Sequence, residues 1–264
     1  MGIIGKVDSL WRYPVKSMRG EELDELFVGY AGVYGDRLFA FRSSTAPAGF
    51  PYFTGRDERQ MIRYRARYRH PEKAARPINL LDAEQNGAAP LSASAEELTI
   101  DVETTDGKIF EICDPGLRDA LRLDQKADLT LIRSERALTD ARPLSLFSIQ
   151  TAQQIGMEIG AAVDKRRFRA NIYLDLPGLA PFAEDKFVGR SLRIGPKVIA
   201  SVVGRDGRCM MVTLDPDTSD KAPAVLKTIA QAHEGKAGVY AAVVAEGTVR
   251  KGDPVELLDA AAPV

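Results

Sequence analysis

Cysteine and histidine are scarce in this chain. Cys113 and Cys209 are the two cysteines in 264 residues, and His70 and His233 the two histidines. The cysteines lie far apart and form no C-x-x-C, so a disulfide scaffold is not expected. A conventional iron–sulfur cluster cannot draw four thiolates from this chain. Two histidines leave little material for a histidine-rich zinc site or a Ser-His-Asp triad, and both are expected at the surface. An excess of one charge is also missing. Lys+Arg number 36 against 37 Asp+Glu, a net charge of −1, which does not imply general nucleic-acid affinity. No apolar run approaches the roughly 20 residues that cross a bilayer. The start, Met-Gly-Ile-Ile-Gly-Lys, has no signal-peptide pattern, and Lys6 stands where a myristoylation site needs Ser or Thr. These absences predict a cytoplasmic protein without a membrane or nucleic-acid partner.

What is present reads as short strands. The hydrophobic fraction of 45% and charged fraction of 28% are ordinary for a globular protein, and the length holds one large or two ordinary domains. Strands are predicted at 3–10, 23–30 and 36–42, with a loop over 43–53. Arg63, Arg65, Arg67 and Arg69 alternate with Tyr64, Ala66 and Tyr68. The pattern is open to single-stranded nucleic acid, a solvated strand face or an electropositive lining. Residues 71–95 read as loop. A hairpin joins 98–102 to 108–112 through Thr105-Asp106-Gly107, and Asp114-Pro115 caps a short helix reaching about Leu123. Further strands are expected at 129–132, 144–149, 172–175, 198–203, 238–245 and 255–258, with helices ending near Gly160 and Gly235. The second of these carries an apolar stripe of Leu226, Ile229 and Ala230. No internal repeat appears. The class predicted is α+β and β-rich, with a domain transition that divides residues 1–124 from 125–264.

The most informative stretch is 205–218, Arg-Asp-Gly-Arg-Cys-Met-Met-Val-Thr-Leu-Asp-Pro-Asp-Thr. Gly207 and Arg208 lead into Cys209, a β-prone run follows from Met210 to Leu214, and Pro216 between two aspartates closes a turn. A thiol at a strand rim beside the fixed cation Arg208 favours thiolate, the form that attacks electrophiles or ligates soft metals. For an isolated cysteine the first reading is a small apolar residue at a strand start.

Gly-Arg-Cys-x-x-x-Thr-x-Asp-Pro-Asp-Thr resembles the signature of the MOSC family, named after the C-terminal domain of molybdenum cofactor sulfurase. The resemblance extends to Tyr13-Pro14-Val15-Lys16-Ser17, Arg167-Phe168-Arg169-Ala170-Asn171 and Gly252-Asp253-Pro254-Val255, in the same order and over nearly the whole chain. It implies an N-terminal β domain followed by a MOSC β-barrel-like domain, with a pyranopterin molybdenum cofactor (molybdenum-molybdopterin) at their junction. Lys16, Ser17, Arg37, Asp140, Arg169, Asn171, Gly207, Arg208 and Tyr240 correspond to cofactor-binding positions, and Cys209 to the metal ligand and catalytic residue. The chemistry suits, since a phosphomonoester of nearly two negative charges needs cations with hydroxyl or amide donors. From the residues alone, Lys16 reads as a solvated side chain, Arg37 as an ion pair with Asp36, and Tyr240 as core packing. The chain departs from the family at Ala170, where proline is usual, at Arg142, where a smaller residue is usual, and at Phe187, where tryptophan is usual.

The implied activity is molybdenum-dependent reduction of N-hydroxylated or related N- or S-oxygenated small molecules. The alternative is a cofactor carrier or sulfur-transfer protein acting through Cys209, and a third is a binding relative without turnover. A reductase with this cysteine count and no G-x-G-x-x-G turn is expected to take electrons from a separate ferredoxin, flavoprotein or cytochrome. The arginine face of 63–69 is a candidate to steer an acidic donor.

Overall fold

A computed structural model of the chain describes residues 2–47, 49–122 and 127–258. The strands of the first half are β1 (Gly2–Arg12), β2 (Glu21–Leu23), β3 (Glu25–Gly29), β4 (Gly32–Val33), β5 (Phe39–Ser43), β6 (Tyr52–Phe53), β7 (Arg65–Tyr68), β8 (Ile100–Glu103) and β9 (Ile109–Glu111). Those that follow are β10 (Leu129–Arg133), β11 (Leu144–Ser148), β12 (Ile172–Asp175), β13 (Ser191–Ile194), β14 (Val198–Gly207), β15 (Lys236–Ala245), β16 (Gly247–Arg250) and β17 (Pro254–Leu257). Helices α1 (Leu80–Asn86), α2 (Pro115–Arg122), α3 (Ile149–Ile159) and α4 (Pro223–Ala232) lie between them.

The order β12-β11-β15-β14-β13-β17-β1 closes on itself because β12 also pairs with β1. These seven strands form a barrel, antiparallel throughout except for the parallel β11–β12 pair. Apolar side chains at period two fill it, among them Val198, Ala200 and Val202 of β14, Val239 and Ala241 of β15, and Leu192 and Ile194 of β13. Burial of each larger aliphatic contributes about 1.5–3 kcal/mol. Closure requires a close approach at Gly5, where an added Cβ would lie 2.1 Å from the Asp175 carbonyl oxygen. Bulges in β1 and β14 bend those strands around the barrel. Helices α3 and α4 pack outside it through Ile155, Val225 and Ile229 against Phe147, Phe168 and Tyr173.

β2 extends the barrel sheet beside β1, and β3 and β4 bury Leu26, Val28 and Val33 in the barrel core. β10-β5-β6 and β7-β8-β9 form two small sheets over a second core, which includes Phe39, Phe41, Phe53, Met61, Ile100, Leu117 and Leu129. The two halves exchange strands. β1 belongs to the barrel, β10 pairs with β5, and β16 pairs with β3. The expected boundary between residues 124 and 125 lies outside the described residues. The α+β, strand-rich class with a barrel is as anticipated, and the barrel takes β1 from the first half in addition to six strands of the second.

Several local expectations need correction. The run after Cys209 is a 3-10 turn (Met210–Thr213) and not a strand. Thr213 Oγ1 donates to the Met210 carbonyl at 2.7 Å, a local side-chain-to-backbone bond that competes with sheet pairing. Residues 71–95 contain the seven-residue α1. β5 begins at Phe39, after Arg37 has turned to φ +48, so strand alternation does not assign its face. Of the arginine run, Arg65 and Arg67 are exposed on β7 while Arg63 ends a 3-10 helix. Arg65 meets Glu103, and Arg69 meets Asp101 and Glu111, so much of that face is neutralised by β8 and β9. On α4 the inward stripe is Val225, Leu226 and Ile229, while Ala230 is exposed. His70 is exposed, but His233 stacks on Phe182 at 3.9 Å and meets Glu158 at 2.8 Å.

Candidate functional site

A cleft with about 720 Å³ of empty space, part of it open to solvent, is walled by residues of both halves. Lys16 reaches it from the segment after β1. Pro14 fixes the backbone as it leaves β1, a turn follows in which Met18 N–H donates to the Val15 carbonyl at 3.2 Å, and Lys16 N–H donates to the Phe39 carbonyl at 2.8 Å. Its Nζ donates to the Leu138 carbonyl at 2.8 Å and meets Asp140 at 2.5 Å, above the Tyr52 ring. The Lys16 side chain is 7% exposed, which corrects the reading of a solvated lysine. Burial lowers its pKa and Asp140 opposes that shift. Burial would raise the Asp140 carboxyl, but Lys16 holds it below the ordinary value.

Ser17, Arg37 and Arg169 have φ of 66°, 48° and 53°, the left-handed region that costs an L-residue about 1–2 kcal/mol. All three line the cleft. They are three of the six described non-glycine residues with positive φ, and their meeting on one cleft wall argues that their side-chain directions matter there. Arg37 contacts Asp36 and donates to the Arg169 carbonyl at 2.8 Å. The guanidiniums of Arg37 and Arg169 lie 4.4 and 4.3 Å from the centroid of the buried Tyr13 ring, whose π-face offsets part of their repulsion. Arg169 donates to the Met18 carbonyl at 2.8 Å, and no carboxylate lies within ion-pair distance of it among the described residues. Burial, with Arg37 nearby, pushes its pKa down to about 10.

Arg208 does not face Cys209 as expected. Its Nε donates to the Ala237 carbonyl at 2.6 Å, its Nη1 to the Phe168 carbonyl at 2.8 Å, and its Nη2 pairs with Asp206 at 2.9 Å. Room for it depends on Gly238 (φ +76), where a Cβ would come within 3.0 Å of that guanidinium. The cation beside the thiol is Arg56, whose Nη2 lies 3.2 Å from Cys209 Sγ. Cys209 itself is half-buried and caps the 3-10 turn with extended backbone.

Gly207 and Tyr240 also line the cleft. Burial, with Asp206 nearby, raises the Tyr240 hydroxyl, and burial raises Asp206 against the opposing Arg208. Asn171 is not on the wall and does not share a face with Arg169. It is fully buried, its Oδ1 accepts from Ser145 Oγ at 3.0 Å, and it holds Ser145 on the lining from behind. The positive φ of Arg169 breaks strand alternation there, so Arg169 and Asn171, two positions apart, do not point the same way.

Residues not singled out from sequence are Arg56, Arg167 and Asp206. Arg167 lies within a recognisable motif and pairs with Asp215 at 2.9 Å. Asp206 flanks Gly207, whereas Arg56 has no local signal. Six cations, Lys16, Arg37, Arg56, Arg167, Arg169 and Arg208, line the cleft. Four carboxylates stand on or behind its wall, Asp36, Asp140, Asp206 and Asp215. The excess is two positive charges, with a soft thiol at one side.

Fold and site together define a β-rich protein in which a barrel and an N-terminal β unit share one cationic, thiol-bearing cleft. The chain belongs to the MOSC-domain family: residues 4–119 match the MOSC N-terminal beta barrel domain and residues 133–256 the MOSC domain. It is similar to mitochondrial amidoxime-reducing component 1 of Mus musculus, 32% identical over 139 residues, covering 48% of this chain and 39% of that protein. It is also similar to molybdenum cofactor sulfurase of Drosophila grimshawi, 28% identical over 169 residues, covering 62% of this chain and 21% of that protein. The matches span less than half the length of each relative. Among solved structures, the YuaD protein from Bacillus subtilis aligns with 96% of this chain and 94% of that one, at 16% identity and a TM-score of 0.48. No helix among the described residues is long and apolar enough to cross a membrane.

Proposed function

We propose that this chain is a molybdenum-cofactor-dependent reductase that removes oxygen from N-hydroxylated or related N- or S-oxygenated small molecules. The observation that carries this reading is the excess of two positive charges around a cleft that also holds the Cys209 thiol. A phosphomonoester of nearly two negative charges matches the excess, and a thiolate is a preferred ligand for a soft metal. Lys16, Arg37, Arg169 and Arg208 would hold the anionic end, and Cys209 would ligate the metal. The pyranopterin molybdenum group, when bound, supplies two-electron redox chemistry.

The chain's own residues bind and orient. Arg37 and Arg169 are held by backbone carbonyls and by the Tyr13 ring, so little ordering cost remains when an anion arrives. Tyr240 Oη keeps its proton through neutral pH because burial and Asp206 raise its pKa, and it hydrogen-bonds Asp206 behind the wall. Reduction of R₂N–OH to R₂NH and water consumes two electrons and two protons. The electrons would come from a separate ferredoxin, flavoprotein or cytochrome, since this chain's two cysteines cannot hold a conventional cluster.

The test is to produce the chain in a molybdenum-replete host and measure metal content and N-hydroxy-compound reduction, with dithionite-reduced viologen or NADPH as donor. Turnover with viologen but not with NADPH alone is expected. Cys209→Ser should abolish it and alter the metal's spectrum, while Cys113→Ser, at an exposed thiol bonded to Glu111, should do neither. Metal loading without turnover would favour the carrier reading. Parent-like turnover in Cys209→Ser would remove the cysteine from the mechanism.

A further inference from the structure

We propose that Arg56 is the positioning residue of Cys209: it donates a hydrogen bond to Sγ, aims the sulfur into the cleft, and tunes the electron density that the sulfur offers a metal. The proposal rests on the reading of Cys209 as the soft ligand. Three observations carry it. The Arg56 Nη2–Sγ distance is 3.2 Å, hydrogen-bond range for sulfur, and the donor is a full cation. The guanidinium is seated and not free, with its centre 4.6 Å from the Phe50 ring centroid and Nη2 4.0 Å from Asp140. The backbone that carries it is locked. Thr54 N–H donates to Asp57 at 2.8 Å, Arg56 N–H donates to Thr54 Oγ1 at 3.2 Å, and Asp57 N–H donates to the Thr54 carbonyl at 2.9 Å.

This turn packs against the segment that carries Cys209: a Cβ at Gly55 would lie 2.9 Å from the Met211 thioether, in the 3-10 turn that follows the cysteine. Arg56 and Cys209 are 153 residues apart and come from opposite halves of the chain. The thiol environment is therefore completed by the N-terminal unit, and the barrel alone lacks it. Partners of this kind orient first ligands and tune metal centres, and hydrogen bonds to ligating sulfur shift reduction potentials.

The experiment compares Arg56→Met, which keeps length and loses charge and donor, with Arg56→Lys, which keeps charge and donor. Both are made in a Cys113→Ser background so that Cys209 is the single thiol. Before cofactor loading, alkylation of Cys209 by the neutral reagent iodoacetamide is timed at pH 7.4. Arg56→Met should slow it about fivefold or more, and Arg56→Lys should recover most of the rate. After loading, at equal molybdenum per chain, Arg56→Met should move the sulfur-to-metal absorption band and make the reduction potential more negative. An alkylation rate in Arg56→Met equal to the parent's overturns the proposal, and so does an unchanged potential at equal molybdenum content. If the parent takes up no molybdenum cofactor, the functional reading fails instead, and the alkylation comparison still decides the role of Arg56.

Discussion

At the residue scale, the cleft holds side chains by unusual means. Ser17, Arg37 and Arg169 accept left-handed backbone, and Arg37 and Arg169 share one aromatic ring. Each lost charge-assisted bond should weaken cofactor binding by about 1.5–3 kcal/mol. Arg169 separates binding from backbone strain. Arg169→Ala and Arg169→Gly should lose cofactor occupancy alike, because both remove the guanidinium. Glycine carries no Cβ penalty at φ +53, so Arg169→Gly should be more stable than Arg169→Ala by about 1 kcal/mol, read by urea unfolding. Equal stability of the two would remove strain from the account, and full occupancy in either would remove Arg169 from the site. The family resemblance groups Lys16, Ser17, Arg37, Asp140, Arg169, Asn171, Gly207, Arg208, Cys209 and Tyr240, and all but Asn171 line the cleft. It could not show Arg56. A loop residue that meets its partner across 153 positions leaves no periodicity, capping or turn signature.

At the element scale, the turn after the cysteine stretch ties the halves together. Asp215 Oδ1 accepts from the N–H groups of Asp217 and Thr218 at 3.0 and 3.1 Å, as its sequence predicted. Its longer reach was hidden. Asp217 pairs with Arg166 at 2.5 Å and with Arg19, from the first half, at 2.6 Å. The hydrogen bond from Arg166, with the charges of Arg166 and Arg19, holds the Asp217 carboxyl below its usual range. A carboxyl depressed in the folded state contributes stability above its unfolded value, near pH 4. That contribution is lost as pH falls through the lower folded value. Thermal unfolding should therefore show parent and Asp217→Asn diverging above about pH 4 and converging well below it. A constant gap across that range would mean the aspartate acts by shape and not by charge. Element types were easier to read than pairings. The 144–149 strand and the helix to Gly160 follow from local pattern, whereas closure of the barrel by β1 against β12 joins segments about 160 residues apart. No window of sequence contains both.

At the scale of the whole molecule, the interleaving of halves explains how a chain of net charge −1 sustains a strongly cationic cleft. Exposed ion pairs elsewhere neutralise one another, as along β7 to β9, while the junction gathers six cations against four carboxylates. Holding that excess out of water opposes folding, and an anion that binds the folded cleft relieves the cost. Inorganic phosphate should thus raise the melting temperature of the chain before cofactor loading by mass action, reaching about 2.7 kcal/mol at a hundredfold excess over its dissociation constant. For a chain of this size that is a shift of about 2–4 °C per kcal/mol. The sign with pH follows from the partners. Arg169 stays protonated up to about pH 10, and phosphate gains its second charge near neutrality, so the shift should grow from pH 6 to pH 8. Phosphate also stabilises proteins generally by exclusion from their surfaces, which makes Arg169→Ala the necessary comparison. Exclusion acts on parent and variant alike, whereas cleft binding should lose most of its shift in the variant. Equal phosphate shifts in the two proteins, at matched ionic strength and both pH values, would show that the cleft does not bind the dianion.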